Sequence, residues 1–297
     1  MSKMKALIPN LLTAGNLVGG VLAIIFSLTG RLEWAPYCIF ISAFLDFFDG
    51  FAARLLKVQS ELGKQLDSLA DMVTFGVAPG VMVFVLMKFS FLHKGCMSWP
   101  PISKNGFGPI YTGDLKFQCL ADQSSQSMIH SCSLIDWERV QPFYAILPYF
   151  ALLIPIMSMF RLAKFNLDTR QTDSFIGVPT PANTLFFASL PLILIQLSYP
   201  QTPWNEMLSD FILNPLFLII STIIMSILLV AELPLFALKF KSFGWKGNEI
   251  RYIFLTLCVV LLATLWWLAI PLIIILYILL SLIQNLRKKN VAAKTSK

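Results

Sequence analysis

The chain has 297 residues, of which 57% are hydrophobic and only 13% charged, with a net charge of +7. A soluble domain is about a quarter charged, so the composition excludes an ordinary water-soluble fold. Lysine and arginine are spread over the ends of apolar runs and not gathered in one patch, which argues against nucleic acid and for membrane topology.

Apolar runs of about 20 residues, the length a helix needs to cross a bilayer, lie at 10–29, 35–56, 66–92, 142–164, 181–199, 211–238, 250–267 and 270–287. They predict an all-α polytopic membrane protein of about eight transmembrane helices. MSKMK before the first run resembles a secretion signal, but Pro9, Asn10, Gly15 and Asn16 interrupt the run and no clear small-residue cleavage site follows. It reads as a retained first helix. The last two runs form one stretch, divided at Pro271 beside Trp266 and Trp267, aromatics suited to a membrane interface. With the N-terminus inside, only Arg31, Lys88, Lys94, Lys104, Lys116 and Arg139 of the 23 basic residues fall outside, so both termini are predicted to be cytoplasmic.

The polar segment 93–141 then falls on the outer side and carries Cys96, Cys119 and Cys132, while Cys38 and Cys258 lie in spans. An outer location permits a disulfide, but three cysteines leave one over and unpaired thiols fit equally well. His93 and His130 also lie on this segment, and no Cys/His spacing matches a zinc site. The tail RKKNVAAKTSK is expected to face the lipid surface.

The stretch DFFDGFAARLLKVQSELGKQLDSLAD, residues 46–71, places four aspartates in two apolar segments. A charge at mid-bilayer costs about 2.5–3.5 kcal/mol on insertion scales, so four facing lipid there would cost on the order of 10–14 kcal/mol. Asp46, Asp49, Gly50 and Ala53 share one face of the second predicted helix, and Gly63, Asp67 and Asp71 step by four along the third. Lys57, Gln59, Ser60, Glu61 and Lys64 make the link polar enough for a cytoplasmic turn, so the two aspartate pairs can face each other near that surface. Ion pairing with Arg54, Lys57 and Lys64 is the simpler alternative. Hard oxygen ligands in this number suit Mg²⁺ or Mn²⁺, and substrate phosphates can complete the coordination. A pair of such ions polarises a phosphoryl centre and stabilises its leaving oxygen. Gly50 and Gly63 leave room beside Asp46 and Asp67 for a bulky ligand.

The spacing Asp46-x2-Asp49-Gly50-x2-Ala53-Arg54-x8-Gly63-x3-Asp67-x3-Asp71 resembles the complete signature of the CDP-alcohol phosphotransferase family, with no departure from it. These are integral membrane enzymes that move a phosphatidyl or similar group from a CDP-linked donor to an alcohol. The resemblance implies one metal ion on Asp46, Asp49 and Asp67 and a second shared by Asp46, Asp67 and Asp71, with Asp71 also the general base. It implies CDP-lipid contacts at Asn10, Thr13, Gly50, Arg54, Ser60 and Gly63, and a homodimer with a six-helix core. A planar guanidinium at Arg54 suits a diphosphate. The core would span 1–241, leaving 242–297 as an added two-helix hairpin and basic tail.

NLLTAGNLVGG at 10–20, LADMVTFGVAPG at 69–80, FRLAKFNLDTRQTDSFIGVPTPA at 160–182 and, more loosely, AELPLFALKFK at 231–241 resemble the membrane-embedded phosphatidylserine synthases of bacteria. That similarity implies CDP-diacylglycerol and L-serine as substrates, in the bacterial cytoplasmic membrane with the active site near its cytoplasmic face. Arg161, Lys164 and Asn166 are candidates to hold serine, and Glu232 to meet its ammonium; alternatively Arg161, Lys164 and Arg170 only fix topology and Glu232 only lies at the interface. The same chemistry with glycerol 3-phosphate, inositol phosphate or another alcohol remains open. A divalent-cation transporter is the alternative of another class, although its carboxylates are expected on several helices across the bilayer.

Overall fold

On the first helix, α1 (Ser2–Leu28), the buried positions are Pro9, Thr13, Asn16, Gly20, Ala23 and Ser27, alternating steps of four and three. The second, α2 (Ala35–Leu55), turns Ala35, Ile39, Ser42, Asp46 and Asp49 inward with the same rhythm. Its opposite face presents Ile41, Phe44, Phe48, Phe51 and Leu55, all exposed. A stripe of large exposed apolar side chains is unfavourable against water and suits lipid. The side chains of α2 therefore sort by solvent, with the aspartates on the protein side.

The computed structural model describes residues 2–95, 146–167, 175–200, 202–235 and 248–295, together with Gly244 and four two-residue strands between 102 and 133. Those strands pair as Ile102–Ser103 with Gly106–Phe107, and Lys116–Phe117 with Cys132–Ser133. Cys96, Cys119 and Cys132, whose pairing the sequence leaves open, the two histidines, Arg170 and the basic tail fall outside the described side chains. Cys38 and Cys258 are free thiols.

Ser60 caps α3 (Glu61–Asp71) by accepting the Gly63 N–H at 3.0 Å. Helix α3 runs into a π-helical turn, Met72–Val77, and on into α4 (Ala78–Gly95). The wider turn is held from two sides. Thr74 Oγ1 donates to the Asn16 carbonyl at 3.0 Å, which also accepts Ser42 Oγ at 3.2 Å. From the other side Thr184 Oγ1 donates to the Phe75 carbonyl at 2.7 Å. A 3₁₀ turn, Leu147–Leu152, leads into α5 (Leu153–Leu167), and α6 (Thr180–Leu197) is buried almost throughout.

The predicted span 211–238 begins at the end of one helix and is filled by a second only as far as Val230. Helix α7 (Pro203–Ile212) meets α8 (Pro215–Val230) at a bend of 54°. Asn214 and Pro215 make the break, the Asn side chain capping the second helix. Helix α8 stops at Val230, and Pro234–Leu235 then pairs antiparallel with Phe175–Ile176. Gly177, at a positive φ of 77°, follows that strand and donates to the Leu233 carbonyl at 2.9 Å.

The C-terminal stretch breaks at Trp266–Leu268, not at the expected Pro271, giving α9 (Glu249–Leu265) and α10 (Ala269–Thr295). Pro271 falls in the first turn of α10, where its missing N–H has no helical partner to lose. Phe254 meets Tyr277 with ring centroids 5.6 Å apart, so the helices fold back on each other. Gln196 of α6 holds the break, accepting from Trp267 N at 3.2 Å and donating to the Leu265 carbonyl at 3.4 Å. Trp267 also stacks on Phe40 of α2 at 5.8 Å.

The eight expected crossings compare with five helices that are long and apolar enough to cross a membrane, or six with the bent pair as one span. The counts part at α2, which carries Asp46 and Asp49 and is not among the five, and at Glu249–Leu286, which enters as one apolar run.

Close approach at Gly20 sets the spacing between α1 and the turn after Asp71: a Cβ there would stand 2.8 Å from Thr74 Cα. Gly20→Ala is expected to destabilise the fold by about 1–3 kcal/mol through overpacking, read as a lower melting temperature in detergent. An unchanged midpoint would contradict this packing.

Candidate active site

Carboxylate oxygens of Asp46 and Asp49 on α2 and Asp67 on α3 converge within 4.8 Å of one another. Asp71 lies outside that trio but adjoins it through Asp46, whose carboxylate is a close neighbour of those of both Asp67 and Asp71. The helix phases read from sequence thus do bring the two aspartate pairs together. Ion pairing as the alternative finds no support among the described residues. An ion pair among the described residues joins Lys164 to Glu232, and Arg54 Nε donates to the Gly50 carbonyl of its own helix at 3.0 Å.

Helix α1 supplies the neutral partners. Thr13 Oγ1 donates to Asp49 Oδ2 at 2.6 Å, and Asn16 Nδ2 donates to Asp71 Oδ1 at 3.1 Å. Thr13 was expected to touch the nucleotide, but its hydroxyl is buried and committed to Asp49. Asn16 was not singled out as a site residue. The signal was available, because Thr13, Asn16 and Gly20 share one face at steps of three and four.

The other candidates fall into two groups at the helix ends. Gly50 and Arg54 are exposed near the end of α2, and a Cβ on Gly50 would meet nothing within 4 Å. That space is open beside Asp49. Asn10, Ser60 and Gly63 gather at the start of α3, where a Cβ on Gly63 would stand 3.2 Å from Ser60 Oγ and 3.8 Å from Asn10 Oδ1.

The three residues proposed for serine separate. Arg161 of α5 is 8% exposed, donates to Thr180 Oγ1 at 3.1 Å, and lies within electrostatic range of Asp71. Lys164 instead forms a 3.0 Å ion pair with Glu232, with side chains 40% and 69% exposed. The two groups expected to bind opposite ends of serine therefore meet each other, at a surface where long side chains are free to pair. Asn166 donates to Ser68 Oγ at 2.9 Å and ties the end of α5 to α3.

The aspartates fit a divalent cation. Their donors are hard carboxylate oxygens, and Asp67 Oδ1 is buried with no hydrogen-bond partner from the protein. A buried carboxylate oxygen is costly in that condition and is met by a cation.

The family profile described as CDP-alcohol phosphatidyltransferase matches residues 6–100, which hold all four aspartates. The chain is 30% identical over 242 residues to the CDP-diacylglycerol–serine O-phosphatidyltransferase of Bacillus subtilis, covering 82% of this chain and 94% of that protein. The chain belongs to the CDP-alcohol phosphatidyltransferase family. It is thus an enzyme of CDP-alcohol phosphotransfer, and its apolar helices make it an integral membrane one. The protein of the same name from Helicobacter pylori strain J99 is 27% identical over 178 residues, 59% of this chain and 53% of that protein. That from Mycobacterium tuberculosis strain H37Rv is 38% identical over 93 residues, 31% of each chain.

Membership gives the Thr13–Asp49 contact a measurable consequence. Thr13→Val keeps the volume but leaves Asp49 Oδ2 without its donor, and a lost bond to a charged group is worth about 1.5–3 kcal/mol. Phosphotransfer is expected to fall by about tenfold or more, with Thr13→Ser restoring most of it. Equal activity in Thr13→Val and the unaltered protein would contradict the contact.

Proposed function

We propose that the protein transfers the phosphatidyl group of CDP-diacylglycerol to the hydroxyl of L-serine, giving phosphatidylserine and CMP. The observation that carries the reading is the buried Arg161 of α5, which lies within electrostatic range of Asp71, the neighbour of the aspartate trio. A neutral alcohol as acceptor needs no buried cation beside the base, whereas an amino acid brings a carboxylate that does. The name carried by the Bacillus, Helicobacter and Mycobacterium relatives supports serine.

In this reading Asp46, Asp49, Asp67 and Asp71 hold Mg²⁺ or Mn²⁺, two ions per site. Bound there, the metal supplies charge that polarises the phosphoryl group and stabilises the leaving phosphate. Asp71 accepts the proton of the serine hydroxyl, and Asn16 fixes the orientation of its carboxylate. The serine oxygen forms its bond to the lipid-side phosphorus while the phosphoanhydride bond breaks, and the electron pair leaves on CMP. No Ser/His or Cys/His pair adjoins Asp71 among the described residues, which favours direct attack over a covalent relay. Gly50 and Arg54, with open space at Gly50 beside Asp49, and the group of Asn10, Ser60 and Gly63 at the start of α3 are the residues this reading gives to the nucleotide diphosphate. Arg161 receives the serine carboxylate.

The topology proposed with this chemistry has eight crossings and both termini in the cytoplasm. A six-helix core over 1–241 is followed by the hairpin within 242–297. The enzyme works as a homodimer in the bacterial cytoplasmic membrane, its site near the cytoplasmic face. The lysine and arginine distribution and the family resemblance support this arrangement.

Purified protein in mixed micelles is expected to release CMP from CDP-diacylglycerol only with serine and a divalent metal, to lose activity to a chelator, and to regain it with Mg²⁺ or Mn²⁺. Asp71→Asn is expected to cut turnover by about 10²–10⁴-fold. Full turnover in that variant would remove Asp71 as the base. Preference for glycerol 3-phosphate or an inositol phosphate over serine in the same assay would replace the acceptor and leave the chemistry standing.

A further inference from the structure

Behind Asp71, away from the nucleotide side, α5 and α6 bring buried polar groups to the π-helical turn. Ser158 and Arg161 share one face of α5, three residues apart, and a Cβ on Gly76 of the turn would stand 3.2 Å from Ser158 Cβ. Thr180, Asn183 and Thr184 occupy the facing end of α6: Thr180 accepts from Arg161, and Thr184 donates to the turn at Phe75. Asn183 lies between them in sequence, one helical turn from Thr180. Ser158 and Asn183 are both 0% exposed.

Several of these groups have no protein hydrogen-bond partner. They are Arg161 Nε, Ser158 Oγ, and both Nδ2 and Oδ1 of Asn183. Buried amides in folded proteins are nearly always satisfied, and one left bare at both ends destabilises the fold that keeps it. Thr184, one residue on, meets its needs within the protein, so polarity at this level of α6 is not in itself costly. The unmet groups also have a particular chemistry. Arg161 Nε and one end of the Asn183 amide are donors; Ser158 Oγ and the other end of that amide are acceptors. A zwitterion needs this combination, donors for a carboxylate and acceptors for an ammonium, which itself offers only donors.

We propose that Asn183 and Ser158 form, with Arg161, the end of the acceptor pocket that recognises the α-amino acid group, the Asn183 amide oxygen and Ser158 Oγ accepting from the ammonium. This rests on the reading of serine as acceptor and adds a specificity determinant to it. An acceptor held there by both ends would present its hydroxyl toward Asp71, which lies within electrostatic range of Arg161. An alcohol without an ammonium leaves the two acceptors bare, and such unpaired polar groups are how a buried site rejects a near-analogue.

The test is steady-state CMP release by purified Asn183→Leu and Ser158→Ala, with serine, 3-hydroxypropionate (no ammonium) and serinol (no carboxylate) as acceptors or competitors. Asn183→Leu is expected to raise the KM for serine by about tenfold or more while the KM for CDP-diacylglycerol stays within about twofold. Binding of 3-hydroxypropionate is expected to change little, so discrimination between it and serine narrows. The melting temperature is expected to hold or rise, because a bare buried amide has been replaced by an apolar group of similar size. Ser158→Ala is expected to shift serine in the same direction by a smaller factor. Unchanged serine KM in both variants would overturn the proposal, as would a lowered melting temperature with equal losses on serine and 3-hydroxypropionate, which marks a packing role. Failure of the unaltered enzyme to use serine at all is a different result: it removes the acceptor assignment on which this pocket depends.

Discussion

Four carboxylates gathered among apolar helices are the constraint on which the rest of the structure depends. Two unit charges about 4–5 Å apart at an effective dielectric of about 20 repel by about 3–4 kcal/mol, and the Asp46, Asp49 and Asp67 oxygens lie within 4.8 Å of one another. Neutral hydrogen bonds do not cancel such repulsion; only positive charge does. The fold brings the aspartates together through close helix contacts, with Gly20 against Thr74 and Gly19 against Ser42. Such packing holds charges in place against their repulsion. It yields a site whose affinity for hard cations follows from its construction.

Around that cluster the protein divides its neighbours by chemistry. Helix α1 contributes short neutral donors, Thr13 and Asn16, which fix carboxylate orientation without competing for the metal. The open side beyond Gly50 lies toward the end of α2, where Arg54 is exposed. The closed side is built by α5, α6 and the π-helical turn, and there the single buried guanidinium among the described residues, Arg161, stands near Asp71. A π turn inside a helix is frequent at functional sites, and this one follows Asp71 directly. Here the turn is pinned by Thr74 to α1 and by Thr184 to α6, so two hydroxyls tie the aspartate cluster's surroundings to the buried end of α6. The Asn285 amide of α10 reaches the Pro234 carbonyl at 2.6 Å, and Pro234 pairs with the strand that leads into Gly177 and α6. The C-terminal helices thus buttress the entry to α6 as well as α2 through Trp267.

The aspartate site was legible in the sequence because charge in an apolar helix is rare and helical phase is simple arithmetic: 46 and 49, 67 and 71 had to share faces. The chain turn at Ser60 and the segments around α1, α2 and α3 followed from the same periodicity. What was not legible had weaker local signals. Helix α7 lies over the polar stretch 203–212, almost wholly before the predicted run, and the bend at Asn214 and Pro215 falls just inside the run's start. Trp266, with a positive φ of 52°, turns the last stretch before Pro271, because tertiary contacts with Gln196 and Phe40 choose the break there. Lys164 and Glu232 are 68 residues apart, and no sequence pattern announces that they pair with each other. Asn16, Ser158 and Asn183 are uncharged, so each alone looked like an ordinary polar residue in a helix. Their burial and missing partners appear only once α1, α5 and α6 are packed.

The central claim is that the aspartates form a cation site and not a structural polar core. Mn²⁺ titration of the purified protein, followed by electron paramagnetic resonance of the free ion, tests it most directly without substrate or turnover. The account predicts saturable binding that is lost, by about tenfold or more in affinity, in Asp67→Asn with the fold retained. Absence of saturable binding to the folded protein, or unaltered affinity in Asp67→Asn, would contradict it.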